Sequence, residues 1–318
     1  MSDPSKPMTI PILGGAPPKP INIAIFSELG AGAVLSPNSQ RAMECIDPRI
    51  FEGFQRRAAF GVDSPDENGL FPWITMTKGQ EPDIGEAVMQ WKHETKGSTI
   101  HRAHFLDELA KLIEPSRAHF GKSVAKITES GDNDPVVLHF KDGTTAEADL
   151  VIELVPDDGT TLGWSIWEMP PAPTYYNGRV AIMGDAAHAS TPYQGAGAGQ
   201  TIEDSLVMER LLGKYFDPAR EKRLPLSTVE TTHLIFQAFD TVRRHRSQKV
   251  QTTSSETGRI LTGAEPGVSM KASDMSARMN GRQDWMWNYD QEGQVKDAML
   301  IFEEVEWSRE RNAANSSV

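Results

Sequence analysis

The alternation of apolar and polar residues along the chain predicts both strands and helices. A short β-branched run at residues 21–26 predicts a buried strand. Residues 123–128, 136–140 and 144–152 predict three further strands. Asp142-Gly143 lies between the last two and predicts a hairpin turn, because Asp-Gly readily takes the positive φ angles that such a turn requires. Residues 178–185 predict another strand, which ends in Gly184-Asp185.

Helical spacing of apolar residues is clearest over residues 102–113. Phe105, Leu109, Leu112 and Ile113 recur at the spacing of one buried helix face. Ser36-Pro37 predicts the start of a short helix over 38–46, with Ser36 as the N-cap and Pro37 at the first helical position. The chain after residue 200 is expected to be mostly helical, over 201–212, 232–253, 271–287 and 294–311.

Two features of this pattern are interpreted as structural. The aromatic residues Phe71, Trp73 and Trp91 are expected to lie in strands and to pack across them. The basic run at 243–246 lies inside a predicted helix. We interpret it as a solvated helix face with ion pairs, which is the usual setting for such a run.

Composition narrows the class of protein. A length of 318 residues suggests about two domains. The formal net charge of −12 makes nucleic acid an unexpected partner, because phosphate backbones attract basic surfaces. The single cysteine, Cys45, excludes an internal disulfide and a multi-cysteine zinc site, and we predict no metal site. No apolar stretch is long enough to predict a membrane span, and the oligomeric state is not indicated.

The first 20 residues are expected to form a disordered leader. They contain six prolines and lack the sustained apolar core of a secretory signal. Together with the presence of a single cysteine, this predicts a reduced, soluble protein of the cytoplasm.

The segment from Gly184 to Gln200 carries the strongest candidate chemistry. Gly184-Asp185 places a carboxylate at the end of a predicted strand, and the run 195–199 contains only glycine and alanine before the next helix. Ligands of α/β sheets bind at such strand ends, and helix N-termini favour anionic or electron-rich groups. Small residues let a flat or phosphorylated ligand approach the backbone. Asp185 can accept hydrogen bonds from ligand hydroxyls.

This segment resembles the second FAD motif of the class A flavoprotein monooxygenases, and salicylate-hydroxylase-like enzymes in particular. The resemblance rests on the string from Gly184 through His188, Pro192 and the Gly/Ala run to Asp204. It extends to Leu29-Gly30-Ala31-Gly32 with Ser36-Pro37-Asn38, to the His-Arg pair at 101–102, to the hairpin at 136–152 and to the C-terminal helices.

The resemblance implies an α/β, FAD/NAD(P)-binding Rossmann-like fold, here truncated, with a helical C-terminal region. It implies a FAD site with roles for individual residues. Asp185 would hold the ribitol chain, residues 196–199 would present backbone N–H groups, Ala31 and Gly32 would line the flavin, and Arg102 would contact the cofactor. The full set of implied cofactor-binding residues is Ala31, Gly32, Arg102, Asp185, Ala196, Gly197, Ala198 and Gly199. No catalytic residue is assigned.

The family chemistry is reduction of the flavin by NAD(P)H, followed by oxygen activation and hydroxylation of an electron-rich aromatic ring. The resemblance therefore implies FAD as cofactor, NAD(P)H as co-substrate and a small phenolic or polyketide-type substrate of fungal secondary metabolism. The cofactor supplies the reactivity, and the protein positions and shields it.

The resemblance divides the chain into five regions. After the leader (1–20), residues 21–155 would be a partial FAD-binding domain. Residues 156–177 would be the remnant of a substrate domain, 178–215 the strand, loop and helix of the second FAD motif, and 216–318 a C-terminal helical region.

Two blocks of the family pattern are missing. The strand at 21–26 runs directly into Glu28-Leu29-Gly30, so the phosphate-binding βαβ crossover, which needs about 30 residues, is absent. Gly30-Ala31-Gly32 does not replace it, because Leu35 stands at the third glycine position and Ser36-Pro37 follows. The second gap follows residue 152, and Asp158-Gly159 is expected to be a surface turn. We therefore predict weak or no FAD binding by this chain.

Three other functions are weighed against a flavin-dependent hydroxylase. A non-catalytic remnant of the same fold that binds a partner is favoured by the missing phosphate loop. An isomerase or hydrolase that uses His188 or Asp185 as a base lacks a visible nucleophile and base pair. An NAD-dependent dehydrogenase lacks the glycine fingerprint.

Overall fold

The structure is a computed structural model that describes residues 12–13, 32–81, 83–119, 121–129, 131, 134–153, 168–216 and 228–315. The predicted strand at 21–26 and the expected turn at Asp158-Gly159 lie outside these residues. The described strands are β1 (Ile12–Leu13), β2 (Gly32–Val34), β3 (Ala59–Phe60), β4 (Phe71–Thr77), β5 (Ala87–His93), β6 (Ser98–His101), β7 (Val124–Thr128), β8 (Val136–Phe140), β9 (Thr145–Ala148), β10 (Val151–Glu153), β11 (Tyr176–Asn177) and β12 (Val180–Ile182). The described α-helices are α1 (Pro37–Ile46), α2 (Pro48–Arg57), α3 (Arg102–Ala110), α4 (Asp185–His188), α5 (Gly197–Phe216), α6 (Thr228–Thr262), α7 (Ala272–Met279), α8 (Asp284–Trp287) and α9 (Gln291–Asn315).

A four-stranded sheet with the order β1-β10-β12-β11 lies at the centre. β1, β10 and β12 are parallel, with Ile12 opposite Ile152 and Ile152 opposite Ala181, and β11 is antiparallel at the edge. A first strand beside strands from much later in the chain is typical of dinucleotide-binding folds. The predicted disordered leader is therefore wrong at Ile12–Leu13. Ile12 and Leu13 form a strand in this proline-rich segment because β10 provides a parallel partner.

Three smaller antiparallel sheets complete the described strands. β2, β6 and β3 form one sheet, β4 and β5 a hairpin, and β7, β8 and β9 a meander. The predicted turn at 142–143 is confirmed: Gly143 has φ 84°, and the Asp142 carboxylate accepts the Thr144 N–H at 2.9 Å. The strand predicted at 144–152 is two strands, because β9 pairs with β8 whereas β10 joins the central sheet.

The main core lies between the central sheet and helices α5, α6 and α9. Phe236 and Phe239 of α6, Leu211 of α5 and Phe302 of α9 pack with Ile152 and Ala181 of the sheet, and all are at most 2% exposed. A second core joins the β4–β5 hairpin to α6, α7 and α8, where Trp91 and Trp287 pack with ring centroids 5.9 Å apart. Trp91 is in a strand as predicted, but its ring packs on α8.

Several helix boundaries differ from the predictions. The helix predicted over 102–113 ends at Ala110, and Leu112 and Ile113 are exposed. Its most buried charged residue is Glu108, whose carboxylate binds Arg56, Arg57 and Lys111. α2 is a helix that the aromatic pattern did not reveal, and the helix predicted over 271–287 is divided into α7 and α8 by residues 280–283. None of the described helices combines the length and apolar character needed to cross a bilayer.

Candidate functional site

The carboxyl end of β12 presents a free carboxylate. Gly184 follows the strand with φ 59° and ψ −140°, a conformation that glycine adopts without steric cost. Asp185 is the first residue of α4 and is exposed, and its carboxylate accepts no hydrogen bond from any described residue. This is the edge of a parallel sheet at which ligands bind. Asp185 is therefore available to accept hydrogen bonds from a ligand.

The N-terminus of α5 forms the second part of the site. The helix begins at Gly197, four residues before the predicted start, so residues 197–199 form its first turn. The first N–H groups of a helix have no partner within it, and the helix dipole favours negative charge there. A Cβ atom on Gly197 would meet no other atom within 4 Å. This helix end is thus open to a ligand.

Gly199 lies in the same turn but has a different environment. A Cβ atom on Gly199 would overlap the Ser39 hydroxyl of α1. Gly199 and Ser39 are both buried. The small size of Gly199 therefore serves the close packing of α1 on α5. The family resemblance implies that Gly199, like Gly197, presents its backbone N–H to the cofactor.

The end of β2 lies beside the turn that precedes α5. A Cβ atom on Gly195, which has φ 60°, would lie 3.6 Å from Val34 Cβ. In the β2–β6 ladder Gly32 stands opposite His101 and is exposed. Arg102 follows His101 as the first residue of α3, is exposed, and donates to none of the described residues. The structure therefore brings Gly32 and Arg102 together at one end of β2.

The remaining predicted site residues are placed as follows. Ala196 is buried in the core formed with the β4–β5 hairpin, and Ala198 is exposed on the first turn of α5. Ala31 lies outside the described residues. The Asp185 turn lies beside Asp204 of α5, which is seven residues, or about two turns, beyond Gly197.

A buried ionic network lies beneath these segments. Arg243 of α6 is fully buried and donates from Nε to Asp204 Oδ1 and from Nη1 to Glu203 Oε2, both at 2.7 Å. Arg246 donates from Nε and Nη2 to the two Glu203 oxygens at 2.6 and 2.8 Å. Asn38 Nδ2 of α1 donates to Glu203 Oε1 at 2.6 Å. The network therefore joins α1, α5 and α6.

The same network reaches the Asp185 turn through Asp204. Asp204 Oδ2 accepts the Gly184 N–H at 2.9 Å and lies 2.7 Å from His188 Nε2. It thus binds both ends of the short helix α4, on which Asp185 lies. His188 is 2% exposed, so its place in the structure is that of a buried bridging residue.

The charges of this network keep both carboxylates ionised. Burial alone would raise the pKa of Glu203, but the Arg243 and Arg246 guanidiniums outweigh it and lower that pKa to about 2. Burial likewise opposes ionisation of Asp204, whereas His188 and Arg243 lower its pKa to about 2. The two acidic residues beside the site are therefore anions at neutral pH.

The interpretation of residues 243–246 as a solvated face is wrong for Arg243 and Arg246. Both are at most 6% exposed, whereas Arg244 is half-buried and His245 is exposed. Arg243 and Arg246 are three residues apart and therefore share one helix face. That spacing, together with adjacent acids in the apolar helix α5, was the available signal. Among the described residues no group of three or more acidic, histidine or cysteine side chains could hold a metal ion.

Comparison with known proteins identifies the family. A family model described as a FAD binding domain matches residues 158–242. A 6-methylsalicylate 1-monooxygenase of Aspergillus terreus is 30% identical over an alignment that covers 88% of this chain and 85% of that protein. A salicylate hydroxylase of Pseudomonas putida is 37% identical over 48% of this chain and 32% of its own length.

A solved salicylate hydroxylase in complex with substrate has a similar fold. Its TM-score is 0.67 at 23% identity, over 84% of this chain and 90% of that chain. The expected FAD/NAD(P)-binding fold is thereby confirmed, and FAD is the cofactor that the matched family model indicates. The chain belongs to the class A FAD-dependent monooxygenases of the salicylate hydroxylase type, a family of oxidoreductases.

Proposed function

We propose that this chain binds FAD along the edge formed by Gly32, Arg102, Asp185 and the first turn of α5. We further propose that it hydroxylates a small phenolic substrate with NAD(P)H and O2 in the cytoplasm. The observation that carries the proposal is the exposed Asp185 carboxylate, which has no described partner. The preceding residue, Gly184, donates its N–H to Asp204, which lies about two turns along α5 from the open helix end at Gly197. The names of the relatives support an aromatic substrate.

The described residues fit the ring and ribitol parts of FAD. A free carboxylate suits the hydroxyl groups of a ribitol chain, since an ionised carboxylate accepts hydrogen bonds only. The open N–H groups of the α5 N-terminus suit the electron-rich edge of a flavin ring. Arg102 is an exposed cation that follows His101, the residue opposite Gly32, and it suits a phosphate.

When bound, FAD supplies the redox chemistry, which amino-acid side chains do not provide. Asp185 orients the cofactor through its carboxylate, and the first turn of α5 stabilises negative charge at its ring edge. Ala196 is buried in the core that also contains Val88 and Met89 of the β4–β5 hairpin, and this core excludes water from one side of the helix end. The chain's own residues therefore hold the cofactor, orient it and shield it from water.

We propose that FAD is held weakly. β1 is separated from the predicted strand at 21–26 only by residues 14–20, which are fewer than the dozen or more residues of a parallel crossover. A chain with this spacing lacks room for the helix whose N-terminus binds the pyrophosphate in such folds.

A second candidate function is a non-catalytic remnant of the same fold that does not bind FAD. It is favoured by the length of the alignment with the Aspergillus terreus enzyme. That alignment spans 396 positions, more than the 318 residues of this chain, so segments of the relative have no counterpart here.

Titration of the purified chain with FAD, monitored through the quenching of flavin fluorescence, distinguishes the two functions. We expect saturable binding that is lost on desalting. Asp185→Asn and Gly197→Ala should each weaken binding at least tenfold, because the first removes the charged acceptor and the second places a methyl group in the open space. Gly213→Ala is the control, because Gly213 lies on the same helix and is exposed, and an added Cβ atom would meet only Glu209, at an ordinary contact distance of 3.7 Å.

The outcomes are distinct. Binding that is insensitive to Asp185→Asn and Gly197→Ala would place FAD elsewhere and refute the proposed site. Stoichiometric FAD after desalting would refute weak binding. A folded chain without saturable binding supports the remnant. If FAD binds, NADPH consumption stimulated by salicylate or related phenols tests the hydroxylase activity directly.

A further inference from the structure

We propose that Arg243 is a positioning residue for the cofactor site, acting through Asp204 and Glu203 on the segments that face FAD. The inference rests on the proposed FAD site. It concerns a residue that does not itself face the proposed cofactor, because Arg243 is fully buried in α6.

The geometry of Arg243 supports this role. Its guanidinium donates to Asp204, to Glu203 and to Gln200, with Nη2 lying 2.9 Å from Gln200 Oε1 and 3.2 Å from the Gln200 carbonyl. Gln200 directly follows the first turn of α5. One side chain thus fixes the beginning of α5 and two acidic residues a turn further along. Arg has five N–H donors in a rigid plane, which lysine cannot reproduce.

Each acidic residue transmits this constraint to a different segment. Asp204 holds the Gly184 N–H and His188, and therefore both ends of the helix that begins with Asp185. Glu203 holds Asn38 of α1, and α1 follows directly after the strand that contains Gly32. The Asp185 turn, the α5 N-terminus and the α1 segment are therefore aligned by one buried cluster.

The balance of charge gives the cluster its rigidity. Two buried carboxylates face two buried guanidiniums and His188, so removal of Arg243 leaves Asp204 with no arginine partner. Glu203 keeps Arg246 and Asn38. The Asp185 turn should therefore loosen more than α1 does.

Arg179 offers a matched control. It is 3% exposed and forms an ion pair with the exposed Glu129 at 2.7 Å. It also donates to the carbonyl oxygens of Gly131 and Asp134. These partners lie near the β7–β8 connection, at the amino end of β12, whereas Asp185 lies at the other end of that strand. Loss of Arg179 should destabilise the fold without acting selectively on the cofactor edge.

The experiment compares Arg243→Met, Arg243→Lys and Arg179→Met with the wild-type full chain. FAD affinity is measured by fluorescence titration, stability by urea unfolding, and amide hydrogen exchange by mass spectrometry without FAD. We expect Arg243→Met to weaken FAD binding at least tenfold and to speed exchange in residues 184–188 and 197–204. Arg243→Lys should recover part of the affinity and of the bound-flavin absorption spectrum. Arg179→Met should leave FAD affinity within twofold and speed exchange around 124–140.

Equal loss of FAD affinity in Arg243→Met and Arg179→Met at equal loss of stability would overturn the inference. Unchanged exchange in residues 184–188 would also overturn it. If Arg243→Met does not fold, Arg243→Lys is compared with Arg179→Met instead, by FAD affinity and by hydrogen exchange in residues 184–188. If the wild-type chain does not bind FAD, the proposed function fails on its own, and the exchange pattern of the flavin-free proteins still decides whether Arg243 fixes these segments.

Discussion

Substitution of Gly199 by alanine tests the close packing of α1 against the candidate site. A Cβ atom at this position would overlap the Ser39 hydroxyl, while Ser39 Cβ would stand at 3.6 Å, an ordinary contact distance. The Ser39 hydroxyl lies 3.1 Å from the Ser36 hydroxyl inside the buried α1–α5 interface, so it has little room to move. The clash at Gly199 is thus caused by the Ser39 hydroxyl oxygen alone.

The magnitude follows from two opposing effects. Overpacking of a buried position costs about 1–3 kcal/mol. Replacing glycine by alanine in a helix gains up to about 1 kcal/mol, and less in the first turn. We therefore expect Gly199→Ala to lower the free energy of unfolding by about 1–2 kcal/mol. In a Ser39→Ala background, where the oxygen is gone, Gly199→Ala should be neutral or stabilising.

Urea unfolding of the four proteins of this double-mutant cycle gives the coupling free energy, which we expect to be about 1–3 kcal/mol in favour of the double variant. The denaturant slope should not change, since the surface exposed on unfolding is the same. Gly213→Ala in the same helix should not destabilise. Equal destabilisation by Gly199→Ala in both backgrounds would refute the assignment of the clash to Ser39.

Acid and core packing give two further predictions. The pKa values of Glu203 and Asp204 in the folded chain are about 2, below the ordinary values of 4.5 and 3.8. Ionisation of these two carboxylates therefore stabilises the fold fully above about pH 5, and this stabilisation is lost as the pH falls towards 2. Urea unfolding should show that the free energy of unfolding declines steadily over that range. A free energy of unfolding that does not change between pH 5 and pH 2 would contradict the prediction. Trp91→Ala should lower the free energy of unfolding by about 3–5 kcal/mol in the same assay, because Trp91 is 4% exposed, packs on Trp287 and donates to the Met279 carbonyl; a loss below 1 kcal/mol would contradict this packing.

Local patterns in the sequence were sufficient for several elements. The hairpin at 142–143 depends on the conformational freedom of glycine, which can be identified from the dipeptide. The strand before Gly184 and the helix that begins within the glycine run depend on short apolar periodicity. The Asp185 position follows from these two elements, because the end of a strand and the start of a helix fix where a side chain lies.

Long-range contacts decided the features that the sequence did not predict. A basic run has the same periodicity whether it faces water or a buried acid, so the burial of Arg243 depends on Glu203 and Asp204, about 40 residues away. The strand at Ile12–Leu13 exists because β10 provides a parallel neighbour. The helix over 102–110 buries Glu108 because α2 brings two arginines to it.

Comparison of FAD with riboflavin tests which part of the cofactor site is present. The described residues offer partners for the ring and ribitol, which both flavins share, and Arg102 as an exposed cation for phosphate. A hydrogen bond to a charged group contributes about 1.5–3 kcal/mol, and each 1.4 kcal/mol is a factor of ten in affinity. A complete pyrophosphate site with several backbone donors would therefore favour FAD by several orders of magnitude. A chain that relies on Arg102 alone should bind the two flavins within about tenfold to a hundredfold, and Arg102→Gln should bring their affinities together. A preference for FAD beyond a thousandfold that survives Arg102→Gln would show that residues outside the described edge bind the phosphates, and the argument for weak binding from the short connection at 14–20 would fail.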